Sequence, residues 1–130
     1  MVCPCGSGRE YPGCCEPLHH GAPARTAEAL MRSRFSAFAL GSSTPGLDGY
    51  LLSSWHPSTR PASLDLDDGT VWRRLQIVDV VAGRPDDATG IVEFRASFRD
   101  GDGMAGLLHE RSRFARVDGR WVYLDGDVRG

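Results

Sequence analysis

Four cysteines fall within the first fifteen residues, as Cys3, Cys5, Cys14 and Cys15, and they are all the cysteines the chain has. Their spacing is C-x-C-x8-C-C, with Gly6-Ser7-Gly8 following the first pair. Neighbouring cysteines make a cramped disulfide framework, whereas a tetrahedral ion gathers four thiolates at ordinary bond lengths. We read the segment as a knuckle in which Cys3, Cys5, Cys14 and Cys15 hold one structural Zn²⁺. A closed four-thiolate site leaves no open position for a substrate. Its excess negative charge calls for backbone N–H groups, turned toward the sulfurs by the glycines, and for Arg9. Such a segment has too little apolar surface to fold alone, so metal binding and folding are one event, with Tyr11 and Pro12 as a small apolar cap. His19 or His20 could replace a cysteine, but four sulfurs already satisfy the ion, and both are expected in a solvated linker over residues 16–25.

The second group with chemistry is Arg34, His56 and Glu110. Thr26 opens a helix as its N-cap, Glu28 favours the first turn, and Gly41 is the expected stop, which predicts a helix over 26–40. At about 100° per residue, Ala27, Leu30, Met31, Phe35 and Phe38 form one apolar face, and Arg34 falls in its middle. A guanidinium there needs a carboxylate or a ligand anion beneath it. Arg32 lies on the flank and is expected in solvent. Tyr50 to Trp55 forms one or two helical turns. The prolines of His56-Pro57-Ser58-Thr59-Arg60-Pro61 make a rigid extended loop presenting His56 and Arg60.

After Gly69 the apolar period changes to two, predicting strands over 71–81, 90–99, 106–117 and 121–125 with hairpin turns between them. Val92, Phe94, Ala96 and Phe98 share one face of the second strand. In the third, Glu110 falls in step with Leu108, Ser112 and Phe114, so it points inward and is the best partner for Arg34. The alternating arginines read as a solvated face.

The chain carries a formal net charge of −2, and all 15 of its basic residues are arginine. The absence of lysine excludes Schiff-base and phosphate-loop lysine chemistry. The acidic balance argues against a nucleic-acid partner. No apolar run is long enough for a membrane span and no signal-like segment opens the sequence, so a cytoplasmic location is expected.

Cys3-Pro-Cys-Gly-Ser-Gly with Cys14-Cys15 resembles the SEC-C zinc motif also found at the C-terminus of SecA. Leu30-Met-Arg-Ser-Arg-Phe, Trp55-His-Pro-Ser, Glu110-Arg-Ser-Arg-Phe and Gly119-Arg-Trp-Val-Tyr-Leu-Asp-Gly resemble the body motifs of the YchJ (UPF0225) family. The resemblance implies an α+β, NTF2-like cone, with N-terminal helices on a curved antiparallel sheet that encloses a pocket. On that basis residues 1–22 are the knuckle and 23–130 the cone. The family brings no established activity. The SEC-C stretch before the last cysteine pair is usually lysine-rich, whereas here it reads Arg9-Glu10-Tyr11-Pro12-Gly13, so the charge for an acidic or ribosomal partner is mostly missing.

The expected pocket residues are Arg34, Tyr50, Trp55, His56, Glu110 and Trp121, with Arg60 and Arg113 near the mouth. Two functions compete. One is a binding or adaptor module whose knuckle contacts an unknown protein partner and whose pocket takes a small molecule or peptide end. The other is an enzyme, with His56 as base, Glu110 as orienter or acid, and Arg34 or Arg60 clamping a small anionic substrate.

Overall fold

The structure, a computed structural model, describes residues 1–129. Residues 1–15 form a small loop pair closed by a bridge between Val2 and Glu10, with the Cys3 amide donating to the Arg9 carbonyl at 2.9 Å. Gly6 and Gly8 both have φ of +82°, the left-handed geometry that lets so short a loop turn back on itself. A 3-10 turn at Tyr11–Gly13 leads into a single helical turn, α1 (Glu16–His19). The expected linker is therefore partly helical.

The helix α2 (Ala27–Leu40) begins as predicted, with the Thr26 hydroxyl accepting from the Ala29 amide at 3.0 Å. It ends for a different reason. Gly41 keeps ordinary right-handed helical geometry, at φ −61°, so it does not act as a left-handed stop. A Cβ at Gly41 would lie 2.5 Å from Leu66 Cδ1, and the glycine is there to let that side chain pass. The short helix α3 (Leu47–Ser53) follows, and Leu47 and Leu51 pack on Ala37 of α2.

Four antiparallel strands make one sheet in sequence order: β1 (Val71–Ala82), β2 (Thr89–Arg99), β3 (Ala105–Val117) and β4 (Arg120–Val128). The last runs three residues beyond its expected end, pairing Val128 with Glu110. Register shifts at Trp72/Arg74, Ile77/Asp79 and Arg113/Phe114 bend the strands, as an extra residue in one partner does. The concave face carries Leu75, Val92, Phe94, Ala96 and Phe114, which form one core with Ala27, Leu30, Met31 and Phe35 of α2. This is the helix-on-curved-sheet cone that the resemblance implies.

The opposite face of the sheet departs in part from expectation. Arg111 bridges Asp79 and Glu93 at 2.9 and 2.8 Å, Glu93 also takes His109 at 2.7 Å, and Arg113 bridges Asp125 and Asp127. Arg111 and Arg113 are thus held in cross-strand ion pairs, because antiparallel register sets them beside Glu93 and Asp125 on the neighbouring strands. Arg95 and Arg99 lie opposite no carboxylate and stay exposed, as expected of a solvated face. Arg113 is consequently committed to this outer face and does not reach a pocket mouth.

Candidate functional site

The four cysteine sulfurs lie within 4.8 Å of one another. Cys5 and Cys14 are 3.6 Å apart and Cys14 and Cys15 3.9 Å, close to the ~3.8 Å edge of a tetrahedron with metal–sulfur bonds of about 2.3 Å. No sulfur pair is bonded. The donor set therefore fits a zinc ion, and residues around it supply donors to the sulfurs. Ser7 Oγ lies 3.2 Å from Cys14 and the Arg9 guanidinium donates to the same sulfur at 3.8 Å. The backbone amides of Cys5 and Ser7 donate to the sulfurs of Cys3 and Cys5. Hydrogen bonding from Cys15 draws the Cys5 thiol down to about 4, while Cys15, facing that charge, is pushed up. The protein's own dipoles thus stabilise one thiolate; a divalent ion would stabilise the rest.

The knuckle faces inward. Ser36, fully buried on α2, donates to Cys15 Sγ at 3.3 Å and lies 3.4 Å from Cys3 Sγ. Arg32, expected in solvent, donates to the Cys5 carbonyl at 2.7 Å. His19 is neither placed as a metal ligand nor left as a solvated loop residue: its Nδ1 meets the Tyr11 hydroxyl at 2.7 Å and its Nε2 the Ser33 carbonyl at 2.8 Å. Tyr11 packs on the cysteines, but Pro12 is exposed.

The expected pocket residues divide between two cavities. Between α2 and the concave sheet lies one of about 190 Å³, whose walls include Phe35, Phe38, Trp72 and Phe94 and which holds Arg34, Trp55 and Glu110. Tyr50, Arg60 and Trp121 instead line a larger groove of about 570 Å³ beside α3 and the linker. Arg60 is further committed to the Trp55 carbonyl, at 2.9 Å. His56 lines neither. Its backbone amide joins β4 through the Tyr123 carbonyl at 2.7 Å, and its Nδ1 accepts from the Ser58 amide at 3.0 Å. The imidazole braces its own loop, so His56, Glu110 and Arg34 do not meet.

Arg34 is 4% exposed, and among the described residues no carboxylate bonds it. Its Nη1 donates to the Leu51 carbonyl at 2.8 Å and to Ser54 Oγ at 2.6 Å. The guanidinium carbon lies 4.9 Å from the ring centroids of both Trp55 and Tyr123. Burial lowers its pKa to about 10, which still leaves it cationic at neutral pH. Glu110 lines the cavity, but its Oε2 accepts from Ser112 at 2.6 Å and Tyr123 at 2.9 Å instead of from Arg34. Burial, and then Glu110, push the Tyr123 phenol upward, so it remains a donor. Sequence reasoning placed Ser112 on the face of Glu110 without giving it a role, and missed Tyr123, which reaches Glu110 from the next strand.

A curved antiparallel sheet closed by a helix over an inner cavity, with a four-cysteine knuckle docked on that helix, defines an NTF2-like protein with a SEC-C-type terminus. The model of the YchJ middle NTF2-like domain matches residues 26–126, and the chain belongs to the YchJ (UPF0225) family. A UPF0225 protein of Streptomyces coelicolor is 54% identical over 126 residues, covering 96% of this chain and 94% of its own. One of Deinococcus radiodurans is 48% identical over 124 residues, 95% of this chain and 86% of that one. The solution structure of RPA3114, a SEC-C motif containing protein from Rhodopseudomonas palustris, superposes with a TM-score of 0.81 at 34% identity, covering both chains completely. Among the described residues no helix is long and apolar enough to cross a membrane.

Proposed function

We propose that the protein is a small-molecule-binding module whose N-terminus is held by one structural zinc ion on Cys3, Cys5, Cys14 and Cys15. The observation that carries the reading is the cavity of about 190 Å³, walled by aromatic side chains and holding two charged groups, Arg34 and Glu110, that do not pair with each other. A purely structural buried arginine would be expected to pair with a carboxylate in its own cavity, because an uncompensated charge in an apolar wall is costly. The knuckle's role is internal: Ser36 and Arg32 tie it to α2, the helix that carries Arg34. Zinc then supports the cavity by fixing the helix that roofs it.

An enzyme built on His56, Glu110 and Arg34 would require the imidazole inside the cavity, and it is not there. The binding reading is tested with Ala96→Leu, which fills the cavity from β2. Saturation-transfer NMR with a set of small aromatic fragments should detect binders to the zinc-loaded chain and lose them in the variant. Identical spectra for both, or no binder at all, would refute it. A protein partner for the knuckle would dock on its outer side, where Met1 and Val2 are exposed. A partner retained equally by the native chain and by Val2→Asp would exclude that surface.

A further inference from the structure

Given a cavity that binds small molecules, the reading on which this inference rests, the free hydrogen-bonding groups in its wall specify more about the ligand than size does. Arg34 uses only Nη1 to bind the protein; its Nε and Nη2 have no partner among the described residues. Those two nitrogens lie along one edge of the guanidinium, where their N–H bonds run parallel in the geometry that grips two coplanar oxygens. The residue is 4% exposed and lines the cavity, and its two free nitrogens, unlike the indole nitrogens of Trp55 and Trp121, are not fully buried, so a small polar group can reach them. The indole N–H of Trp55, in the same wall, also lacks an acceptor among the described residues, but it is fully buried and is not itself open to the cavity.

We infer that the cavity binds a compact aromatic monocarboxylic acid, its carboxylate held side-on by Nε and Nη2 of Arg34 and its ring lodged among Phe35, Phe38, Trp72 and Phe94. Size sets the first limit. A dry cavity of about 150 Å³ accommodates benzene, and this one is about 190 Å³, which leaves room for a ring bearing one small group. Charge sets the second. A monoanion neutralises Arg34, which has no ion pair among the described residues. Glu110 already brings one negative charge to the same cavity, its Oε2 occupied by Ser112 and Tyr123. A second carboxylate on the ligand would find no cation and would face that charge across an apolar space. Phosphate esters are disfavoured on the same ground.

Benzoate is the probe, with benzyl alcohol as its neutral counterpart of similar size and phthalate as the dianion. Each is titrated into the zinc-loaded full chain, following tryptophan fluorescence, since Trp55 and Trp72 line the cavity. Benzoate should bind at least about tenfold more tightly than either comparison compound, because only it satisfies the fork without adding an unpaired charge. In Arg34→Lys, which keeps the charge and loses the fork, benzoate should weaken by roughly tenfold or more while benzyl alcohol is unchanged. Benzyl alcohol binding as well as benzoate, or phthalate binding better, overturns the acid inference and leaves the cavity a ligand site. If none of the three binds the native chain while the fragment set still yields binders, the acid inference alone falls; if the fragments yield none either, the small-molecule reading fails and the acid falls with it. Should Arg34→Lys not fold, the comparison of the three compounds on the native chain still decides.

Discussion

Arg34 sits over the ring of Tyr123, its guanidinium carbon 4.9 Å from the centroid, and the Tyr123 hydroxyl carries on to Glu110 Oε2 at 2.9 Å. Cation and carboxylate are thus linked through an aromatic ring instead of meeting. The two halves of the link are separable. Tyr123→Phe keeps the ring and loses the hydrogen bond to a carboxylate, and should cost about 1–2 kcal/mol. Tyr123→Leu also loses the face beneath Arg34, adding roughly 1 kcal/mol or more at a desolvated site. Urea unfolding measures both; equal losses would show that the ring itself contributes nothing to holding Arg34.

The knuckle should bind one zinc per chain by elemental analysis, and Cys14→Ser should lose it. Ser36→Ala leaves all four sulfurs in place but removes the buried hydroxyl between Cys15 and Cys3. Loss of such a supporting hydrogen bond typically weakens metal binding by about tenfold or more, which competition with a chromophoric chelator would read. An unchanged affinity would mean that Ser36 only packs.

His19 makes stability depend on pH. Burial holds its pKa below the ordinary value of 6.5, although the Ser33 carbonyl works the other way. The folded state therefore binds its proton less readily than the unfolded chain. The contribution of the neutral ring is fully present above about pH 6.5 and is lost as pH falls through the depressed folded value. Urea midpoints of the native chain should drop in that window more than those of His19→Gln. Parallel profiles would place the acid sensitivity elsewhere, for instance in release of metal, which both chains share.

Two glycines are required by close approach. A Cβ on Gly90 would lie 2.6 Å from the Gly83 Cα and 3.0 Å from the Ala27 Cβ, where β1 and β2 meet the start of α2. At Gly126 a Cβ would collide with the Glu110 carboxylate. Gly90→Ala should destabilise the chain by about 1–3 kcal/mol through overpacking against backbone. Gly126→Ala should instead move Glu110 and weaken benzoate discrimination against phthalate, since it displaces the charge that rejects the dianion. If the discrimination stays intact, Glu110 is not its source.

Much of the fold was readable from local pattern. Helix and strand periodicity placed α2 and the four strands, because burial on one face repeats every 3.6 or 2 residues. Cysteine spacing singled out the four sulfurs that cluster, because a tetrahedral ion demands four donors and the chain has four cysteines. Arg34 stood out in the sequence as a charge on an apolar face. Its expected ion pair with Glu110 does not form, for periodicity assigns a residue to a face without saying how far across the cavity it reaches. His56 and Arg113 were misplaced for the same reason: a loop histidine and a strand arginine each have local partners, Ser58 and Asp125, that hold them away from the cavity.

The sequence by itself determined the elements, the cysteine cluster and the family, since each of these is written in spacing along the chain. Only the tertiary structure decided that the knuckle turns inward onto Ser36, and that Arg34 lines the cavity while bonding the protein through Nη1 and not pairing with Glu110. Those outcomes depend on distances between segments remote in sequence, which the bends of the sheet and the docking of α2 set and no local pattern encodes.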